Sequence, residues 1–426
     1  MNVEIYMKYI GKIRENKTLV NGMFFSIFAF AGRGISFVLL VVLASYIPPI
    51  DYGKLSLFNT VIMLLGFFMT FSTSGYLGIS FFKEDKNTFH QDFTFIMLML
   101  ILTGVLFSIF FWIIGEELSD LAGISYGLLW WALLIAFVNV PFQMHMDYYR
   151  LQENVKMYGI MNLGNAILNA ILSLLLVITF AQGWMGRVNA HIWLSVVFAV
   201  IAAGFFVKNG FFDFHLKKER MKKILFWGIP LIPHLTTTWI KQGCDQYIIN
   251  YNYTTQEVGL FSFSLNLVGI ITMIGMAFNS SNSVTIAQIL SDNHVLDKTE
   301  RLRKNIRIIL GIYLGTTTII VVAGCIFVPT FLPKYTDCIP YFMILSVYGF
   351  MVCLYYLYCN FLFYYGYTKK LMFITFGTSL FHLCLSLSLT QFSLYYTTII
   401  YVISQMLCVL MVYIESQRIL RKVLIK

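Results

Sequence analysis

Apolar runs of more than about eighteen residues follow one another along almost the whole chain, and this feature leaves few ways to fold. A helix crosses a hydrocarbon core of roughly 30 Å with about 20 apolar residues. Lipid offers the backbone no water, so each run must satisfy its own N–H and C=O groups as a helix. The ten-residue alternation of an outer-membrane barrel is absent. Composition agrees: of 426 residues, 58% are hydrophobic and 12% charged, where an ordinary globular chain is about a quarter charged. The reading is an all-α polytopic integral membrane protein with about twelve transmembrane helices.

The spans fall at about 19–46, 56–82, 92–114, 122–147, 157–180, 188–208, 224–249, 257–285, 306–332, 339–365, 371–390 and 393–415. Six precede and six follow a basic stretch at 209–223. The organisation is therefore an N-terminal lobe at 1–208, a linker at 209–223 and a C-terminal lobe at 224–426. An even span count puts both termini on one side. That side holds 25 of the 28 Lys and Arg in loops, termini or at span ends; Lys54, Arg187 and Lys334 lie opposite. Basic residues concentrate on the cytoplasmic side, so both termini and the linker are expected there. The same distribution accounts for the net charge of +10 without nucleic acid. No cleavable signal is visible, and Ile5, Ile10 and Ile13 allow the polar N-terminal segment to lie along a membrane surface. The seven cysteines have no metal-ligand spacing and read as small core residues.

A weak repeat relates the two halves. Asp51-Tyr52-Gly53-Lys54-Leu55-Ser56 opens the second span, and Glu257-Val258-Gly259-Leu260-Phe261-Ser262 opens the eighth. Six-span halves of one orientation are parallel repeats, as in some secondary transporters.

Charge inside a span is costly and marks function by default. Arg33 sits between Gly32 and Gly34 in the middle of the first span. In the seventh, His234, Thr238, Lys241 and Asp245 fall at helical spacing on one stripe, and Lys241 and Asp245 form an i,i+4 pair able to neutralise each other. Pro230 and Pro233 remove backbone donors there and predict a broken helix. Arg33 and Lys241 precede the two repeat glycines by similar distances and so occupy nearly corresponding places. Weaker polar stripes run along Asn162, Asn165, Asn169 and Ser173; along Ser262 and Asn266; and along Thr375, Ser379, His382 and Ser386. Each can border a cavity, though hydrogen bonding between helices explains them equally well. No nucleophile–base set and no metal cluster is apparent, and every outer loop is short, so bond-making chemistry is not expected.

Four stretches carry a family resemblance: Ile47-Pro48-Pro49-Ile50-Asp51-Tyr52-Gly53-Lys54-Leu55; Tyr149-Arg150-Leu151-Gln152-Glu153-Asn154; Gly228-Ile229-Pro230-Leu231-Ile232-Pro233 with Trp239-Ile240 and Asp245-Gln246-Tyr247-Ile248-Ile249; and Glu257-Val258-Gly259-Leu260-Phe261-Ser262. The chain resembles the polysaccharide flippases that export O-antigen, capsular and related repeat units. They share a superfamily with the MATE multidrug exporters and the lipid II flippases. Gln246 departs from the pattern, since many members have Arg after the Asp.

The resemblance implies a MATE-like transporter of two six-helix lobes in the bacterial cytoplasmic membrane, moving a polyprenyl-diphosphate-linked oligosaccharide by alternating access. Its partners would be that glycan, membrane lipids and other polysaccharide assembly proteins. It implies no cofactor, and a coupling ion, H+ or Na+, stays open. Arg33 and Lys241 are expected to meet the diphosphate, with Asp245, His234 and Asn165 as further cavity residues. The alternatives are a MATE-like drug/cation antiporter, which a carboxylate-rich cavity would favour, and a membrane-embedded polysaccharide polymerase or ligase, which would need a large outer loop.

Overall fold

The computed structural model describes residues 17–291 and 298–424. Among these there are fifteen α-helices and no strand. In chain order they are α1 (Lys17–Tyr46), α2 (Pro49–Phe68), α3 (Tyr76–Lys83), α4 (Lys86–Ala122), α5 (Tyr126–Leu151), α6 (Val155–Leu174), α7 (Gly183–Lys208), α8 (Lys218–Gly228), α9 (Ile232–Gln242), α10 (Cys244–Asn252), α11 (Thr255–Ser291), α12 (Lys298–Phe331), α13 (Ile339–Tyr364), α14 (Thr368–Leu389) and α15 (Leu394–Leu424). The N-terminal segment with Ile5, Ile10 and Ile13 lies outside the described residues.

Ten helical stretches are long and apolar enough to cross a membrane. They turn large apolar side chains outward, among them Trp112, Trp193, Ile319 and Phe373. They bury Asp92, His382 and Ser386 instead. This inverted distribution is what a lipid solvent selects. The protein is therefore a multi-pass membrane protein.

Two further spans are broken. The second, expected as one run, is α2 and α3 bent by 57°. Phe71 and Ser72 adopt left-handed backbone at the break, with φ of 47° and 59°. The carbonyls freed there are taken up locally: Thr73 N–H donates to Thr70 O at 2.9 Å, and the Thr103 hydroxyl donates to Met69 O. The seventh, 224–249, is built from the end of α8, a 3-10 turn at Ile229–Leu231, α9 and α10. The break predicted from Pro230 and Pro233 falls at that turn.

The chain divides into two compact units: Met1–Ile47, Val61–Asp120 and Ile124–Ile232 in one, and Pro48–Thr60, Leu121–Gly123 and Pro233–Lys426 in the other. In the first, the basic linker is tied down. Asp213 accepts from the backbone N–H of His215 at 3.0 Å and from Gln91 at 3.0 Å, which holds its carboxyl down to about 2. Arg220 of α8 forks onto the fully buried Asp92 at 2.7 and 2.6 Å and reaches Glu84 at 2.7 Å. Asp92, the largest influence, raises the Arg220 guanidinium above its ordinary range. One of the linker's basic residues is thus an internal ion-pair partner rather than a solvated charge.

In the second unit the two repeat motifs meet. A Cβ on Gly53 would lie 2.0 Å from Thr255 O and 3.0 Å from Gly259 N. A Cβ on Gly259 would lie 1.8 Å from Pro49 O and 3.0 Å from Gly53 N. Pro49 and Thr255 each stand four residues before their glycine, so the contact is reciprocal, as an isologous crossing of two like helix starts requires. The repeated glycines exist because two backbones touch there. Tyr52, buried against Phe263 and Tyr335, and its 2.7 Å bond from Asn266 hold the start of α2 in this unit.

Candidate functional site

The densest polar cluster lies in the second unit, where α9 gives way to α10. Gly243 makes the junction, with its Cα so close to Trp239 that a Cβ would sit 2.5 Å from the indole. Trp239 Nε1 donates to Thr60 O at 3.1 Å and fixes that ring. In the first turn of α10, Asp245 is fully buried. Its carboxylate meets His382 Nε2 at 2.8 Å and accepts from Ser386 Oγ at 2.5 Å, both on α14. His382 Nδ1 lies 2.9 Å from Ser404 Oγ on α15. Ser386 continues to Thr390 at 3.3 Å, and Thr397 donates to Thr390 at 2.9 Å. Tyr401 packs edge-on against His382, with ring centres 4.8 Å apart, and its hydroxyl donates to the Lys241 carbonyl.

A carboxylate out of water is tolerated only when paired and hydrogen-bonded. Asp245 obtains both from α14, not from Lys241. This corrects the expected i,i+4 pair: the junction at Gly243 separates α9 from α10, and a buried imidazole supplies the partner. The Lys241 ammonium donates instead to the neutral amide oxygen of Gln405 at 3.2 Å. Among the described residues no carboxylate lies within ion-pair distance of it.

Ser404, His382 and Asp245 align in the order of a hydrolytic triad, an array absent from the sequence reading. All three are at most 1% exposed. Buried in this way, the array is suited to holding a proton or fixing three helices.

Near this cluster is a cavity of about 300 Å³ lined by Gln242, Gln246, Ser262, Asn266, Tyr348 and Tyr356, among others. The stripe expected at Ser262 and Asn266 does border it. The first unit holds its own cavity of about 770 Å³, with Phe25, Phe89, Tyr148, Asp147, Arg150 and Glu153 in its wall. Arg33 is exposed in the middle of α1. Beside it, a Cβ on Gly32 would meet Asn162 Oδ1 at 2.5 Å, which places α1 against α6. Asn165, on α6, is half-buried. Asn169 and Ser173 of the same stripe bind Arg187, the serine at 3.1 Å. His234 lies in α9, and its side chain is outside those described. Arg33 and Asn165 thus stand in the first unit, and Lys241 and Asp245 in the second.

A family model described as Polysaccharide biosynthesis protein matches residues 19–286. The chain belongs to the polysaccharide biosynthesis protein family. An uncharacterized membrane protein of Haemophilus influenzae is 22% identical over 349 residues, covering 80% of this chain and 83% of its own. Among solved structures, the inward-facing conformation of a multidrug resistance MATE family transporter of the MOP superfamily superposes with a TM-score of 0.73 at 15% identity, covering 93% of this chain and 94% of that one. Its outward-facing conformation gives 0.59 at 15% identity, covering 95% and 96%. These likenesses establish the MATE fold for this member of the polysaccharide biosynthesis family, with about twelve membrane helices as expected.

The sequence reading of this family member passed over α15. Thr397, Tyr401, Ser404 and Cys408 recur at steps of four, three and four, and all are buried. That spacing was available in the sequence. What it lacked was a charge to draw attention, because the charge these groups serve lies on α10.

Proposed function

We propose that this protein moves a polyprenyl-diphosphate-linked oligosaccharide repeat unit across the bacterial cytoplasmic membrane by alternating access, for a cell-surface polysaccharide such as an O-antigen or capsule. The observation that carries the reading is Lys241, a half-buried cation in a membrane helix whose bonded partner among the described residues is an uncharged amide. Asp245, the nearest acid in sequence, is already matched by His382. A cation kept this way is suited to an anion that arrives and leaves, and a diphosphate is such an anion. Arg33, exposed within the first span, is proposed to contact the same class of headgroup, and Asn165 and His234 to border the path. Asp245 with His382 is the candidate place for a coupling ion. No bond is made or broken in this scheme. Membrane-embedded glycan polymerisation is the rival that needs an accessible nucleophile, and the buried Ser404 does not provide one.

The decisive measurement uses the purified full chain in proteoliposomes. A lipid-linked repeat unit placed in one leaflet is expected to become accessible to a membrane-impermeant glycan-modifying enzyme on the other side. Arg33→Ala is expected to slow this strongly. Transport of an organic cation drug with no movement of the lipid-linked glycan would replace the reading with a drug antiporter. Normal transport by Arg33→Ala would remove that residue from the site.

The proposed orientation puts both termini and the linker in the cytoplasm. In a cysteine-free background, external labelling is expected at Leu118→Cys and not at His215→Cys. The reverse pattern would overturn the orientation.

A further inference from the structure

The 300 Å³ cavity of the second unit differs in chemistry from the cationic sites just described. None of the residues lining it is charged. Its polar wall is built from the amides of Gln242, Gln246 and Asn266 and the hydroxyls of Ser56, Ser262 and Thr272. Tyr348 and Tyr356 supply aromatic surface. Two of its polar groups are left over. Gln246 Oε1 and Ser262 Oγ are buried atoms without a hydrogen-bond partner among the described residues, on side chains only 7% and 2% exposed. The Gln246 side chain is not loose: its amide nitrogen donates to Gln242 O at 3.3 Å. Asn266 is likewise fixed, by its 2.7 Å bond to Tyr52. Buried polar atoms are almost always paired, so two orphans in one cavity wall point to a guest that pairs them.

The lining restricts the guest. An anion would need a cation in the wall, and a cation would need a carboxylate; neither is there. An apolar guest would leave the two orphans unpaired. The guest must be neutral and must offer donors and acceptors together. A sugar hydroxyl does both, and an amide answers with a donor and an acceptor in one plane. Aromatic rings complete the match, because a pyranose has an apolar C–H face. The volume holds on the order of ten waters, enough for one monosaccharide ring and too little for an oligosaccharide.

We infer that this cavity is a subsite for a single uncharged sugar ring, with Gln246 and Ser262 as its hydrogen-bonding residues. The inference rests on the proposed transport of a lipid-linked glycan and adds that one of its sugars is neutral and is read here. Gln246 is then a specificity determinant: its neutral amide suits an uncharged ring, whereas Gln246→Arg would put a cation in this wall and favour an acidic sugar.

Saturation-transfer NMR on the purified full chain tests this with methyl α-glucoside, methyl α-galactoside, methyl N-acetyl-α-glucosaminide and methyl α-glucuronide as probes. At least one neutral glycoside is expected to give saturation transfer, and the glucuronide none. Ser262→Ala is expected to weaken the neutral glycoside about tenfold. It should leave the melting temperature unchanged, because Ser262 Oγ has no partner to lose among the described residues. Gln246→Leu should act in the same direction. No transfer from any neutral glycoside would mean the cavity holds water only and would overturn the inference. Equal transfer from the glucuronide, or binding unaffected in both variants, would overturn it too. Lys241→Ala separates this inference from the function it rests on. That variant is expected to keep glycoside binding while losing transport, and wild-type protein that binds a neutral glycoside yet moves no lipid-linked glycan would leave the subsite standing and sink the flippase reading.

Discussion

Gly259→Ala is expected to prevent the second unit from assembling. The added Cβ would lie 1.8 Å from Pro49 O and 2.7 Å from its carbonyl carbon. Both obstacles are backbone, so no rotamer change relieves the clash; the two helix starts must move apart. Overpacking a close-packed interior costs roughly 1–3 kcal/mol when side chains can adjust, and here they cannot, so the cost is expected at or above that range. Separation would also loosen Tyr52 from its seat between Phe263 and Tyr335. The expected readout is loss of the monodisperse peak in detergent size-exclusion chromatography, or a melting temperature lowered by many degrees. Gly53→Ala should do the same, since its Cβ would lie 2.0 Å from Thr255 O. Gly311→Ala is the control. Nothing lies within 4 Å of its Cβ position, and an exposed helical glycine exchanged for alanine is neutral or gains about 0.5–1 kcal/mol. A Gly259→Ala protein that folds and melts like wild type would show that the reciprocal crossing is not how the two motifs meet.

Lys241→Ala is expected to lower transport of the lipid-linked glycan about 10- to 100-fold without unfolding the protein. Charge-assisted bonds are worth about 1.5–3 kcal/mol, and each 1.4 kcal/mol is about tenfold. The fold should survive because, among the described residues, the ammonium bonds the Gln405 amide and pairs with no carboxylate. Asp245 keeps His382 and Ser386 in the variant. Lys241→Arg is expected to retain part of the activity, since the charge remains while the compact ammonium does not. Transport and melting should therefore separate: the first falls and the second does not. Normal transport by Lys241→Ala would take Lys241 out of the site. A parallel loss of melting temperature would make it a structural residue.

Much of the architecture was legible in the residues. The apolar runs marked the spans, and Pro230 and Pro233 marked the break in the seventh. The matched Gly53 and Gly259 marked a repeat, although not that the repeats touch. The break at Phe71 and Ser72 was not legible, because left-handed backbone at a phenylalanine has no sequence signal of the kind a glycine or proline supplies. The site was legible in part. Lys241, Asp245, Ser262 and Asn266 stood out as polar groups inside spans, but their partners did not.

That division follows from where each interaction is made. In lipid a helix satisfies its backbone within its own segment, so the membrane helices and the proline break could be read along the chain. The partner of a buried side chain is chosen by packing between segments. His382 is 137 residues from Asp245, and Gln405 is 164 from Lys241. Helical spacing offered Asp245 a nearer partner in Lys241, and only the tertiary structure decided against it: at full burial an imidazole and a serine hydroxyl converging from α14 answer a carboxylate better than an ammonium held back on α9. The sequence by itself determined a multi-pass membrane protein with a repeated helix start, and the packing of α14 and α15 against α9 and α10 determined that Asp245 pairs with His382 while Lys241 bonds the Gln405 amide.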